Sequence, residues 1–326
     1  MKDDIILQVE NLHTGFLVDN VPLEAVSGVS FSLKAGRVLG VVGESGCGKS
    51  VTAHSIMQLL PKYGRITEGS ITYTRATGEK IEIQKLRRTG NQMRQIRGKE
   101  ISMIFQEPMS SLNPVITVGD QIMENILTHE EVSKEEAKQR AIDLLAEVGI
   151  SRPEKVVDNY PFQLSGGMAR KVLLSTALAS DSKVIIADEP TPGLDEESLN
   201  EVLKDFRDIA DSGRAILMIT HDIMAALKIA DKVAIFYAGS TLEIANTSDF
   251  KQKEVELRHP YTKALYKALP NHDFVPIDDK TQPLPNELPK GCVFSDRCPL
   301  KDKNCENQVP KIREIRNGKV RCIHAT

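Results

Sequence analysis

The 326-residue chain lacks long apolar runs: stretches such as Ile216-Leu217-Met218-Ile219 fall far short of the roughly 20 residues a bilayer span needs. No membrane helix is expected, so any service to a membrane depends on docking to another protein. Charge of one sign is also lacking. A formal net charge of −3 gives no reason to expect nucleic acid as the main partner. The start, Met1-Lys2-Asp3-Asp4, lacks a basic region followed by an apolar stretch, so no secretory signal is expected and the chain reads as cytosolic in itself. Tryptophan is absent, yet 40% hydrophobic and 27% charged residues are ordinary for a globular chain. Cysteine is scarce until the end: Cys47 stands alone before Cys292, Cys298, Cys305 and Cys322. In a reducing cytosol such a cluster is expected to bind metal rather than form disulfides.

What is present is an alternation of buried strands and helices. Strands are expected at 5–9, ending in a turn near Asn11, at 29–33 and at 38–42. The last of these feeds a glycine-rich loop, followed by a helix from Ser50 that Pro61 stops. Residues 85–99 carry six basic side chains and no acidic one, read as a solvated face. Helices are expected over Val118–Leu127, Lys134–Val148 and Met168–Ala179, then strands at 183–187, 215–219 and 232–237 with a helix Leu199–Ala210 between the first two. This is an α/β core interrupted by a helical insertion at about 107–175. The expected division is a first domain over 1–254 and an extension over 255–326. Prolines 260, 270, 276, 283, 285, 289, 299 and 310 exclude long helices from the extension, which reads as small and irregular.

The loop Gly43-Glu44-Ser45-Gly46-Cys47-Gly48-Lys49-Ser50 fits the phosphate-loop pattern G-x-x-x-x-G-K-[ST]. Its glycines let successive N–H groups face phosphate oxygens, and the helix that begins there, with Val51, adds its positive end. Lys49 is expected to reach the β- and γ-phosphates and Ser50 to ligate Mg²⁺. Asp188 ends the buried run Val184–Ala187, where a carboxylate has little reason to exist unless it holds a cation. Glu189 is placed to act as general base on the attacking water. His221 follows the strand 216–220 and can steady the γ-phosphate. Gln106, after Ile101–Phe105, is a candidate for Mg²⁺ or the water, and Phe16 for stacking on adenine or for the core.

Between loop and acidic strand stands Leu164-Ser165-Gly166-Gly167-Met168. This ordering resembles the ATP-binding cassette (ABC) ATPases over roughly residues 5–250. The resemblance implies a RecA-like core with an antiparallel β subdomain and the helical ABC insertion. It makes Gln106 the Q-loop residue, Pro192-Gly193-Leu194-Asp195 the D-loop region and His221 the switch histidine. It further implies that two subunits close head to tail, so that Ser165, Gly166 and Gly167 meet ATP held by the partner. An exposed Ser-Gly-Gly at a helix start is a reasonable anion site.

A narrower resemblance rests on Gln106-Glu107-Pro108-Met109-Ser110-Ser111-Leu112-Asn113-Pro114, on Arg258-His259-Pro260-Tyr261-Thr262-Lys263-Ala264-Leu265 and on the four late cysteines. These are similar to the ATPases of oligopeptide, dipeptide and nickel importers. The implied partners are a paralogous ATPase subunit in a heterodimer, two membrane permease subunits and an extracytoplasmic substrate-binding protein. The implied place is the cytoplasmic face of the membrane. Met109–Pro114 would lie near a permease coupling helix, or is merely a turn. Met168 stands where the signature usually has glutamine, and Thr191-Pro192-Gly193 where Thr-Thr-Ala is usual. Both departures, with Ala268-Leu269-Pro270-Asn271, lean toward nickel or metallophore cargo. The spacing C-x₅-C-x₆-C-x₁₆-C lacks the tight pair of zinc sites, and four thiolates suit a [4Fe–4S] cluster, with zinc or reduced thiols as alternatives. A soluble regulatory or metal-sensing ABC ATPase, uncoupled from transport, is the competing reading.

Overall fold

The computed structural model describes residues 4–252, 256–269, 277 and 280–325. The expected domain boundary at 254–255 lies outside them, as do Met1–Asp3, Pro270 and Pro276. Two long strands come first, Ile5–Val18 (β1) and Val21–Lys34 (β2). The turn expected near Asn11 is not there. β1 runs through it, with Asn11 at φ 44° and register shifts on both neighbouring strands. Such a bulge absorbs the extra residue without ending the strand.

Val38–Gly43 (β3) leaves for a second sheet, while Gly64–Thr74 (β4) and Lys80–Glu82 (β5) return to the first, whose order is β2-β1-β4-β5. Ile101–Ile104 (β6), Val184–Asp188 (β7), Ala215–Thr220 (β8) and Lys232–Tyr237 (β9) join β3 in parallel. Alternate residues of these strands face two cores, as expected of a parallel sheet covered on both sides. Leu39, Val41, Val184, Ile186 and Leu217 meet the antiparallel sheet, and Val38, Val42, Ile185, Ala187 and Met218 meet the helices. Helices Val118–His129, Lys134–Glu147 and Gly166–Leu178 build the insertion. The second of them starts in a capping box between Ser133 and Glu136. Among the described residues no helix is long and apolar enough to cross a membrane. The chain has the expected α/β cassette architecture.

Of the basic stretch, Lys85, Arg87, Arg94 and Lys99 are exposed as expected. Arg88 and Arg97 are half-buried instead and donate to the carbonyls of Gly64 and Arg88.

The extension, small and without a long helix among the described residues as expected, adds a short hairpin to the larger sheet. Ser240–Asn246 (β10) pairs with β9, and the hairpin Arg313–Ile315 (β11) and Gly318–Val320 (β12) pairs onto β10, so the larger sheet has the order β11-β12-β10-β9-β3-β8-β7-β6. Arg258 enters this junction fully buried. Its Nη1 lies 3.1 Å from Glu243 and 2.9 Å from Asp249, and Glu243 also accepts from the backbone N–H groups of Arg258 and His259.

His259 caps the helix Pro260–Lys267, its Nδ1 accepting from Tyr261 N at 3.0 Å. Burial pushes this imidazole down to about 3, against about 6.5 in an unfolded chain. Above pH 6.5 both states are neutral and the difference is silent. Below it the unfolded chain takes the proton first, so stability is lost as pH falls toward 3. Urea unfolding should therefore show about 1 kcal/mol less stability from this group at pH 5.5 than at 7.5. His259→Asn, which keeps a capping side chain, should lose that part of the pH dependence.

Candidate active site

β3 delivers the chain into the loop 43–50, and the helix Lys49–Ile56 carries it away. Gly43 has no room for a side chain: a Cβ would lie 2.3 Å from the Phe236 carbonyl oxygen and 2.7 Å from Cys47 Sγ. Gly48, the N-cap, sits at φ 95°, a conformation that favours glycine. Cys47 is buried, and desolvation pushes its thiol up to about 11, so it packs rather than reacts. Lys49 Nζ donates to the carbonyls of Gly43 (2.8 Å) and Glu44 (3.1 Å). Its ammonium thus hangs across the mouth of the loop, with Ser45 and Gly46 at the tip and Val51 behind it in the helix.

The acidic strand end comes to this loop. Ser50 Oγ donates to Asp188 Oδ1 at 3.0 Å. Asp188 is buried at the end of β7, and desolvation raises its carboxyl above the usual range, with the Ser50 hydrogen bond opposing. An oxygen pair made of a hydroxyl and a buried carboxylate suits Mg²⁺. Glu189 follows in the left-handed region at φ 49° and donates its N–H to the Ile219 carbonyl of β8. Strained backbone of this kind gathers at functional sites. Its side chain is 9% exposed and lies 2.9 Å from Nδ1 of His221, which is 64% exposed. Asp222 caps the next helix, accepting from Met224 and Ala225, which fixes the turn that carries His221.

Two candidates stand apart. Gln106 is exposed beyond β6, beside Phe105, Arg170 and Pro190. Among the described residues it has no hydrogen bond to the Asp188–Glu189 pair. Phe16 is half-buried on β1, its ring against Gly64, two residues past Thr14, whose hydroxyl meets Ser55 of the loop helix at 2.9 Å.

The signature string begins the helix Gly166–Leu178. Ser165 is its N-cap, Oγ accepting from Met168 N at 3.3 Å. Ser165, Gly166 and Gly167 are exposed, with nothing within 4 Å of either glycine's missing Cβ. Met168 packs half-buried on the helical core instead. Arg170 donates to the Pro192 carbonyl at 2.6 Å, linking this helix to the segment before Asp195, the N-cap of Glu196–Asp211.

In the extension Cys292, Cys305 and Cys322 are buried and Cys298 half-buried, all as free thiols. Burial raises the thiols of Cys292 (to about 11), Cys298 and Cys322, and their neighbours' charges add to it. Cys292 N donates to the Cys305 carbonyl at 2.7 Å, which brings these two together. Asp302, Cys305 and His324 bring their ligand atoms within 4.8 Å. His324, two residues past Cys322, was missed in the sequence because a lone histidine near the chain's end carries no spacing signal.

Residues 26–192 match the family model described as ABC transporter, and residues 242–305 match the C-terminal region of oligopeptide/dipeptide transporters. The chain belongs to the ABC transporter family. This ABC protein is an ATPase that takes ATP with Mg²⁺. It is 41% identical to the oligopeptide transport ATP-binding protein AppD of Bacillus subtilis (strain 168), over 98% of this chain and 96% of the relative. It is 38% identical to the dipeptide transport ATP-binding protein DppD of Escherichia coli (strain K12), over 98% and 96%. The dimeric post-hydrolysis structure of the ATP-binding cassette MJ0796 bound to ADP and Pi shares the fold, with a TM-score of 0.64 and 23% identity over 74% of this chain and 98% of that one.

One set of contacts in this ABC ATPase has no sequence signal at all. Tyr261, Gln282 and Arg297 of the extension reach Glu44 and Ser45 of the phosphate loop. Tyr261 stood inside a recognised string but carried no role there, and more than 200 residues separate each from its partner.

Proposed function

We propose that this ABC ATPase powers a binding-protein-dependent importer of peptides. The observation that carries this reading is likeness along the whole chain, extension included, to proteins named for oligopeptide and dipeptide transport. It works as one half of a head-to-tail pair with a paralogous ATPase, docked on two permease subunits at the cytoplasmic face of the membrane. The exposed Ser165-Gly166-Gly167 at a helix start supports that pairing, since it is a ready anion site that faces outward. Nickel or metal-chelate cargo rests on the variants at Met168 and 191–193 and on Ala268-Leu269-Pro270-Asn271, whose last two residues lie outside the described residues. The regulatory or metal-sensing alternative is not favoured by these relatives.

The proposed chemistry follows from the geometry. The N–H groups of the loop and Lys49 bind the β- and γ-phosphates, Lys49 giving up its carbonyl partners. Ser50 and Asp188 would hold Mg²⁺, whose role when bound is to neutralise phosphate charge. Glu189 takes a proton from water as the water oxygen bonds to the γ-phosphorus and the bond to ADP breaks. His221 holds Glu189 in place and offers its outer edge to the γ-phosphate. Gln106 reaches this centre only if the segment after β6 moves inward, and Phe16 stacks on the adenine.

For the cysteines we infer a [4Fe–4S] cluster, with zinc as the alternative. Four free cysteines gathered in one small extension, three of them buried, suit a cation among them. Asp302, Cys305 and His324 form the one described group with three ligand atoms within 4.8 Å, whereas tetrahedral zinc–thiolate sites need sulfurs about 3.8 Å apart. The spacing C-x₅-C-x₆-C-x₁₆-C, without the tight pair of zinc sites, supports the cluster.

The test is reconstitution. Co-expressed permease subunits should co-purify with the chain, and peptide-loaded binding protein should raise its ATPase rate several-fold. A rate indifferent to both would end the importer reading. The same anaerobic preparation should be brown, absorbing at about 400 nm; colourless protein with stoichiometric zinc would select the alternative.

A further inference from the structure

The extension touches the phosphate loop directly. Glu44 Oε1 accepts from Arg297 Nη1 at 2.8 Å and from the Tyr261 hydroxyl at 3.1 Å. The Arg297 side chain is 5% exposed and lies over the Tyr237 ring, 5.5 Å from its centroid. Gln282 makes a second bridge, donating to the Ser45 carbonyl at 2.6 Å while its own oxygen accepts from Ala238 N. The rings of Tyr237, Tyr261 and Phe294 pack edge-on or tilted at 4.8–5.4 Å behind these contacts. Phe294 and Arg297 belong to the turn between Cys292 and Cys298, closed by Arg297 N donating to the Phe294 carbonyl.

We propose that the extension is a clamp on the phosphate loop, in which Arg297 and Tyr261 hold Glu44, and Gln282 holds Ser45, in the shape that receives nucleotide phosphates. Two effects make the clamp matter. A loop that must aim several N–H groups at one anion loses affinity when its backbone wanders, because the ordering cost then falls on binding. Glu44 is also an anion beside an anion site. Its pairing with Arg297 supplies a compensating positive charge in a partly desolvated place, where Coulomb terms are stronger than in water. Arg297, Tyr261 and Gln282 are positioning residues: they act on ATP through the loop. The clamp also makes phosphate affinity report on the turn that carries Cys292 and Cys298, which gives the cysteine-bearing extension a purpose in the ATPase itself.

The proposal rests on the ATP-site reading above, and the experiment separates the two. ATP affinity is measured on the full-length protein by equilibrium binding of a fluorescent ATP analogue, with KM and kcat from phosphate release. Arg297→Ala should raise Kd and KM about tenfold while kcat changes less than about twofold. Glu44→Gln in that background, which removes the freed negative charge but not the disorder of the loop, should recover part of the loss. Two variants guard against misfolding. Arg297→Lys keeps the charge without the fork and should weaken ATP by about threefold, and Gln282→Ala should do the same without touching the ion pair. Thermal melts check that each is folded. Wild-type Kd in both Arg297→Lys and Gln282→Ala overturns the clamp, as does a double variant no better than Arg297→Ala. If the wild type itself fails to bind ATP, it is the ATP-site reading that falls.

Discussion

Glu189→Gln should bind ATP with near wild-type affinity and hydrolyse it at least about 100-fold more slowly. The amide is nearly isosteric, so it keeps a hydrogen bond to His221 Nδ1, which lies 2.9 Å from the native carboxylate. Asp188 and Ser50, 3.0 Å apart, still offer their oxygens to Mg²⁺. What is lost is an acceptor for the proton that leaves water. The side chain is nearly buried and its backbone is held at φ 49° by the bond to Ile219, and the neighbouring Asp188 carboxyl is already engaged by Ser50. Single-turnover phosphate release gives the rate, and size-exclusion chromatography with ATP should show a trapped pair. Turnover equal to wild type would remove Glu189 from the role of base.

The second large effect lies in the junction with the extension. Glu243→Ala should destabilise the protein by about 3–5 kcal/mol, because it removes one of the two carboxylates that pair a buried guanidinium and leaves buried N–H groups without an acceptor. Arg258 and Glu243 are 1% and 0% exposed at their side chains. Glu243 also accepts from two backbone N–H groups that have no water to turn to. Adding Arg258→Met to Glu243→Leu should not restore the lost stability, since Asp249 then loses its own partner and the two backbone N–H groups still lack an acceptor. Urea unfolding, followed together with proteolysis of the extension, measures both. Equal stability of Glu243→Ala and wild type would mean that the ion cluster does not hold the junction.

The nucleotide site was legible because its signals are local. Gly43, Gly48, Lys49 and Ser50 sit within one loop between a buried strand and a helix, and Asp188 and Glu189 follow four apolar residues directly. The signature was legible as a string, and its N-cap geometry followed from Ser165 alone. What escaped was of two kinds. Short or bulged elements carry too little pattern: Asn11 looked like a turn because asparagine tolerates positive φ, which is the property that lets β1 bulge there. β11 and β12 have three residues each, too few to show an alternation. Contacts distant along the chain leave no trace in a single sequence. Nothing near Glu44 announces Arg297, and nothing in the proline-rich extension announces that it folds back on the loop.

The hairpin β11–β12 has a further consequence. Hydrogen-bonded to β10, which is bonded to β9, it continues the ladder that runs to β3 and its phosphate loop. Without the hairpin, β10 would present unpaired amides to its surroundings, a template for strand addition by another chain. Trimming the protein to its cassette would thus exchange a closed border for a sticky one, and the expected cost is aggregation at least as much as lost activity.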